Sequence, residues 1–181
     1  FVGWATRRTE SEAGYVLYNA GDGFKYETAD NINLYAQWEA NQYTVYYNAN
    51  ANNEHHYGVA EGSTPPTVTF YDQEFTASTN GFTLAGYAFD HWSENPDGSG
   101  ATYTAGKKYI NLTDVYNDSV ILYAQWTALE YDITIKDPNG SQKDINYPIT
   151  YAEENGDKFY PNYVNYKKTG WTLKGFYIVA D

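Results

Sequence analysis

The sequence contains no cysteine and no methionine. Without a thiol there is no disulfide framework, no thiolate nucleophile and no cysteine-based zinc site. The lack of methionine extends to position 1, so the chain is expected to be a processed product or a fragment, and no thioether is exposed to oxidation. Basic residues are few: 11 Lys and Arg against 23 Asp and Glu give a formal net charge of −12. A surface of that sign repels phosphate backbones, which argues against nucleic acid as a partner. The acidic residues are dispersed rather than gathered into a tail, as expected of a solvated surface. No apolar run approaches the roughly 18 to 20 residues that a helix needs to cross a bilayer, so no membrane insertion is expected in this segment.

Aromatic side chains are abundant instead. They make up 19% of the 181 residues, and Tyr alone accounts for 21. Tyr and Trp favour strands and half-buried surfaces, where the ring packs and the polar tip stays wet. With 42% hydrophobic residues the chain has material for a core, and its length suits one medium domain or two small ones.

Those aromatics recur at a fixed interval. The pentapeptide Leu-Tyr-Ala-Gln-Trp occurs at Leu34–Trp38 and again at Leu122–Trp126, 88 positions later. Phe1-Val2-Gly3-Trp4 matches Phe89-Asp90-His91-Trp92 at the same interval. Tyr18-Asn19-Ala20-Gly21 resembles Tyr103-Thr104-Ala105-Gly106, and Tyr43–Tyr47 resembles Tyr131–Ile135. A period near 88 is longer than the roughly 20 to 50 residues of a solenoid repeat and suits an array of small domains. The expected boundaries are 1–39, the C-terminal part of a repeat; 40–128, a complete repeat; and 129–181, the N-terminal part of a following one.

Alternation sets the expected strand faces. Ile32, Leu34, Ala36 and Trp38 are apolar at every second position, as are Val120, Leu122, Ala124 and Trp126. Period two marks a half-buried strand. Leu, Ala and Trp of each pentapeptide are therefore expected to face the core, with Tyr and Gln outward. Asn95–Gly100 reads as a hairpin loop, and Thr64-Pro65-Pro66 as a loop that no central strand accommodates. Helix signals are weak; Asn111–Asp118 and Tyr151–Asn155 offer a turn or two each.

Phe-x-x-Trp, a Gly-containing loop, Tyr-x-Ala-Gly and a closing Leu-Tyr-Ala-Gln-Trp together resemble the internalin B-repeat family, also called the Listeria–Bacteroides repeat. The resemblance implies an α+β, mostly β fold: tandem small β-grasp-like repeat domains of about 88 residues with little helix. It also implies a secreted, cell-surface bacterial protein without a shared catalytic site, its repeats serving as a stalk or as contact surfaces of an adhesin. The chain departs from the family pattern at Asn48–Glu54, where an Asn-Gly-Gly turn is usual. It departs again at His91, in place of a Gly kept as Gly3 and Gly175, and at Phe176, in place of Trp.

The expected function is thus an extracellular structural repeat segment, a stalk or spacer, capable of self-association into an array or fibre. The alternative is a carbohydrate- or protein-binding module using exposed Tyr faces, with Tyr35 and Tyr123 as the contact surface. No catalysis, cofactor or metal is expected. His55 and His56 are adjacent, so on a strand they would point to opposite faces and not share an ion. Asp90-His91 lacks a Ser or Cys nucleophile motif around it. Asp137–Ser141 spaces oxygen donors like a calcium loop, but an EF-hand needs Glu where Pro148 stands. The Asn-x-Ser/Thr triplets at Asn111, Asn117 and Asn139 are read as loop markers. Expected partners are neighbouring repeats of the same chain or other copies, and host or cell-surface glycans or proteins. The two partial repeats would leave apolar faces and sheet edges open. Either the chain is a window on a longer one, or the strand near Leu34–Trp38 of one copy pairs with the strand near Tyr131–Ile135 of the next.

Overall fold

The computed structural model describes residues 1–27, 29–54, 56, 58–136 and 168–175, together with the backbone of 145–150. Within these residues the chain forms strands β1 (Gly3–Ala5), β2 (Leu17–Asn19), β3 (Tyr35–Gln37), β4 (Gln42–Asn48), β5 (Glu61–Gly62), β6 (Thr67–Phe70) and β7 (Phe75–Thr76). They continue as β8 (Phe82–Thr83), β9 (Tyr87–Ser93), β10 (Thr102–Tyr103), β11 (Lys108–Tyr109), β12 (Asp118–Ala128), β13 (Glu130–Ile135) and β14 (Ile145–Thr150). The chain is β-rich, as its aromatic and β-branched content predicts. No helix occurs among the described residues, which corrects the expectation of a short helix. Asn111–Asp118 instead forms bends and one turn, with Asn111 and Asn117 at φ +56°. Asn tolerates this left-handed region, where a β-branched residue would be strained. Tyr151–Asn155 lies outside the described residues.

Two compact units divide the chain, one comprising Phe1–Tyr46, Pro66–Ser78 and Gly106–Ile121, the other Tyr47–Pro65, Thr79–Ala105 and Leu122–Asp181. The division passes through β4 and β12 rather than along the sequence boundaries at 39/40 and 128/129. The larger sheet has the order β10-β9-β12-β4-β6.

In the first unit, β1 is the centre of a three-stranded sheet, β2-β1-β3. The β4–β6 hairpin lies in the same unit, with Tyr43 opposite Thr69 and Val45 opposite Thr67. Tyr43 and Val45 are buried and Thr44 is not, the expected alternation. Asn41 Nδ2 donates to the Asp114 carbonyl (2.6 Å), and the Asn117 N–H donates to the Gln42 carbonyl (2.7 Å). These bonds fix the entry to β4 against the turn before β12.

In the second unit, the long hairpin β9–β10 closes over Asn95–Gly100, as predicted: Glu94 N–H bonds the Ala101 carbonyl and Gly98 N–H the Asn95 carbonyl. β12 runs antiparallel along β9, with Tyr123 opposite Ser93, Ala124 opposite Trp92 and Gln125 opposite His91. The register shifts there, so that Trp126 stands opposite Phe89 and Asp90 bulges. Thr64-Pro65-Pro66 is a loop, again as predicted. Beside it β5 crosses β8 so closely that a Cβ on Gly62 would lie 2.2 Å from the Gly81 carbonyl oxygen, which only glycine permits.

Pairing in the two units corresponds position for position. β1 sets Trp4 against Ala36 and Tyr18; β9 sets Trp92 against Ala124 and Tyr103. β4 sets Tyr43 and Val45 against β6 as β13 sets Tyr131 and Ile133 against β14. One difference explains His91. β2 extends to Asn19 opposite Gly3, and a Cβ there would lie 2.2 Å from the Tyr18 carbonyl oxygen. β10 stops at Tyr103, opposite Trp92, and leaves room for an imidazole beside it.

Candidate functional site

Each of these sheets builds the same aromatic triad. In β9 and β12, alternation puts Trp92 and Trp126 on the inner face, and the bulge at Asp90 brings Phe89 between them. Phe89 stands 4.9 Å from Trp92 and 5.8 Å from Trp126, the second contact edge-on. In β1 and β3, Phe1 stands 5.2 Å from Trp4 and 5.4 Å from Trp38, both edge-on. Centroid separations of 4.5–7 Å with tilted planes are the favoured aromatic geometry, in which the positive ring edge meets a negative face.

Burial separates the two triads. Trp92 is wholly buried and Trp126 is 9% exposed. Tyr47 packs on Trp92 at 4.8 Å, Phe82 meets it edge-on at 6.3 Å, and the Trp126 indole N–H donates to the Ala49 carbonyl at 2.7 Å. Leu122 and Ala124 are buried while Tyr123 and Gln125 are half-buried, which is the register predicted for this copy. The first copy differs. Trp38 is 75% exposed, Phe1 50% and Trp4 46%, and Ile32 is exposed; Leu34 and Ala36 are no more buried than Tyr35 and Gln37. The predicted inward face of Leu34, Ala36 and Trp38 is therefore corrected. The physical reason is sheet position: β12 lies between β9 and β4, whereas β3 ends its sheet, and among the described residues the cover that β4 and the following loop bring to Trp126 has no counterpart over Trp38.

That cover is held by a residue the sequence reading passed over. Asn50, at φ +49°, is buried. Its Nδ2 donates to the carbonyls of Pro96 (2.7 Å) and Ala124 (2.9 Å), and its Oδ1 accepts from Asn53 Nδ2 (2.8 Å). Its own carbonyl lies 3.0 Å from His56 Nδ1. A carbonyl only accepts, so that ring nitrogen carries a proton. His56 is buried and meets the Tyr87 ring edge-on; it closes the loop that follows β4. The only signal in the sequence was the run of asparagines from Asn48 to Asn53, whose side chains hold turns and tolerate positive φ.

The predicted contact tyrosines occupy equivalent positions: Tyr35 opposite Ala5, Tyr123 opposite Ser93. Both are half-buried, not fully exposed. The Arg8 guanidinium lies 5.5 Å from the Tyr35 ring centroid, within cation–π range. Tyr35 also borders an open cavity of about 610 Å³ lined by Arg7, Arg8, Phe24 and Tyr26.

Two titratable groups are perturbed. The Thr113 hydroxyl and the Ser119 N–H hold the Asp118 carboxyl below its ordinary value. Glu74, 2.8 Å away, holds Lys108 above its own. Lys108, on β11, is exposed, and Asp118, the first residue of β12, is half-buried. His91 Nδ1 lies 3.1 Å from Asp90 Oδ2 at the bulge. His55 and Asp137–Ser141 lie outside the described residues. No group of three or more His, Asp or Glu able to hold a metal occurs among the described residues. No helix among them is long and apolar enough to cross a membrane.

Among the described residues the chain is strand and loop, and two of its sheets carry a recurring aromatic triad. No family model matches the chain, and no solved structure does. Two curated proteins of Evansella cellulosilytica are similar to it. One, named "Putative Gly-rich membrane protein", is 28% identical over 142 residues, 78% of this chain and 15% of that protein. The other, named "Putative membrane protein", is 32% identical over 133 residues, 71% of this chain and 17% of that protein. The chain thus spans less than a fifth of either relative.

Proposed function

We propose that the chain is a run of tandem β-grasp-like repeats of the internalin B-repeat type, serving as an extracellular stalk in a bacterial cell-surface adhesin. The observation that carries this reading is the correspondence of strand register at an interval of 88 residues. Further support comes from the sheet order, which sets β4, the first strand of residues 40–128, beside β12, the last of that stretch. The two run in the same direction. Asn117 bonds Gln42 where both begin, and Trp126 bonds Ala49 where both end. First and last strands side by side and parallel are the core of a β-grasp. The relatives' names, both of membrane proteins, fit a place in the cell envelope. The half-burial of Tyr35 and Tyr123 favours a spacer over a ligand-binding Tyr face.

Two measurements test the proposal. Residues 40–128 expressed alone should unfold in one cooperative transition, as an autonomous repeat does; a non-cooperative transition would defeat the repeat boundaries. Antibody against residues 40–128 should label intact cells of the source bacterium. Labelling that appears only after permeabilisation would defeat the surface assignment.

A further inference from the structure

We infer that Asn80 is a modification site: its side-chain amide and the Gly81 nitrogen form a succinimide, with loss of ammonia, whenever the crossing of β5 and β8 opens, and the closed fold holds that reaction off. The chain has three Asn-Gly pairs, at 80–81, 139–140 and 155–156, and of these the first lies among the described residues. The inference rests on the hydrogen bonds of one turn and is independent of where the parent protein resides.

Two packing requirements put this dipeptide here. A Cβ on residue 81 would collide with the Ser63 carbonyl oxygen, so the crossing accepts only glycine. The residue before it acts as a strand partner for Phe82: Asn80 Oδ1 accepts from the Phe82 N–H and Asn80 Nδ2 donates to the Phe82 carbonyl, both at 2.9 Å. A short side chain with an acceptor and a donor side by side is asparagine. The two demands together produce the most labile of dipeptides, because a glycine nitrogen has no neighbouring side chain to shield it from the asparagine amide carbon.

The reaction balances with water alone. The Gly81 nitrogen gives up its proton and attacks Asn80 Cγ; the N–Cγ bond forms, the Cγ–Nδ2 bond breaks, and ammonia leaves with that proton. Water then opens the five-membered imide at either carbonyl, leaving aspartate or isoaspartate at position 80. In the closed fold the Gly81 N–H donates to the hydroxyl of buried Thr64 at 2.9 Å, which holds the proton in place. Ring closure also turns the Asn80 amide away from Phe82, so both bonds there must break. Three hydrogen bonds have to be lost together, which requires local opening. Neither product restores the turn. A carboxylate accepts from the Phe82 N–H but has no proton to donate to the Phe82 carbonyl. Isoaspartate adds a main-chain methylene just ahead of Gly81 and Phe82, and Phe82 stands opposite Gly62 and meets the Trp92 ring edge-on at 6.3 Å. Each opening that goes to completion is thus recorded irreversibly beside the core.

Peptide mapping by mass spectrometry, on the 181-residue chain held at mildly alkaline pH, reads conversion at position 80 separately from the other two pairs. In the folded chain it should be at least about 100-fold slower than in guanidinium, two tenfold steps for an opening of about 3 kcal/mol. Thr64→Val removes the acceptor and should speed conversion in the folded chain about tenfold, the worth of one hydrogen bond of about 1.4 kcal/mol, with no change in guanidinium. Thr64→Ser keeps the hydroxyl and should keep the slow rate. If Thr64→Val does not fold, wild type in guanidinium below its unfolding transition serves: conversion at position 80 should climb in step with hydrogen exchange of the Gly81 amide. Equal rates in the folded and denatured chain would overturn the inference, as would equal rates in Thr64→Val and Thr64→Ser, or conversion that does not follow Gly81 exchange. So would the absence of conversion at position 80 in guanidinium.

Discussion

Truncating the same letter of the same pentapeptide should have very different costs in its two copies. Trp126 is 9% exposed, and its indole N–H bonds the Ala49 carbonyl at 2.7 Å. A buried aromatic removes about 150–250 Å² from water. At about 25 cal/mol per Å² the ring contributes about 4–6 kcal/mol relative to full exposure, and Phe/Trp→Ala truncations in cores cost about 3–5 kcal/mol. Loss of the hydrogen bond leaves a carbonyl unpartnered, which adds about 1 kcal/mol. Trp126→Ala should therefore lose about 4–5 kcal/mol, much of the stability of a domain this size. Trp126→Phe, which keeps a ring and forfeits the bond, should lose about 1–2 kcal/mol. Trp38, 75% exposed, meets the Phe1 ring edge-on; Trp38→Ala should cost at most about 1 kcal/mol. Urea unfolding followed by far-UV circular dichroism, at micromolar concentration, reads all three as shifts of midpoint at constant slope. Equal losses for Trp38→Ala and Trp126→Ala, or a loss below about 1 kcal/mol for Trp126→Ala, would refute the assignment of one triad as core and the other as surface.

Asn50→Ala removes the short side-chain bonds to the carbonyls of Pro96 and Ala124 and places alanine at positive φ; a loss of about 2–4 kcal/mol is expected in the same assay. Gly62→Ala drives a Cβ to 2.2 Å from the Gly81 carbonyl at φ +88°, so it should destabilise by about 1–3 kcal/mol, with loss of amide protection at β5 and β8 by hydrogen exchange. Thr113→Val removes the larger hold on Asp118, so its carboxyl should titrate closer to the ordinary value by NMR. Because its folded pKa is lowered, the stability Asp118 contributes is present above its ordinary value and lost as pH falls through the folded one; an upward shift absent in Thr113→Val would remove that cause. For Lys108 the sign reverses: its contribution holds below the ordinary lysine value and fades as pH rises through the raised one. Glu74→Gln should lower that titration.

Legibility followed the range of the forces. The strand around Trp126, the hairpin at Asn95–Gly100 and the loop at Thr64–Pro66 were readable because alternation and turn chemistry act over a few residues. The exposure of Trp38 was not. Its pentapeptide is identical to that around Trp126, and what differs is the neighbour on the far side of the strand, which no local pattern encodes. The tolerance of His91 likewise depends on where β10 stops. Asn50 was missed for a related reason: its partners, Pro96 and Ala124, are 46 and 74 residues away, and an asparagine run signals turns without saying which one closes over a core.

The shared direction of β4 and β12 also determines how this fold would bear load. In a parallel pair, the start of β4 at Gln42 and the finish of β12 at Ala128 lie at opposite ends of the seam. Tension applied through those two points slides the strands along each other. Every rung of the seam is then strained together, whereas an antiparallel pair pulled from adjacent ends peels apart one rung at a time. Forced rupture is governed by the rate of unfolding rather than by equilibrium stability. For the proposed stalk, shear strength along this one seam would matter more than resistance to heat.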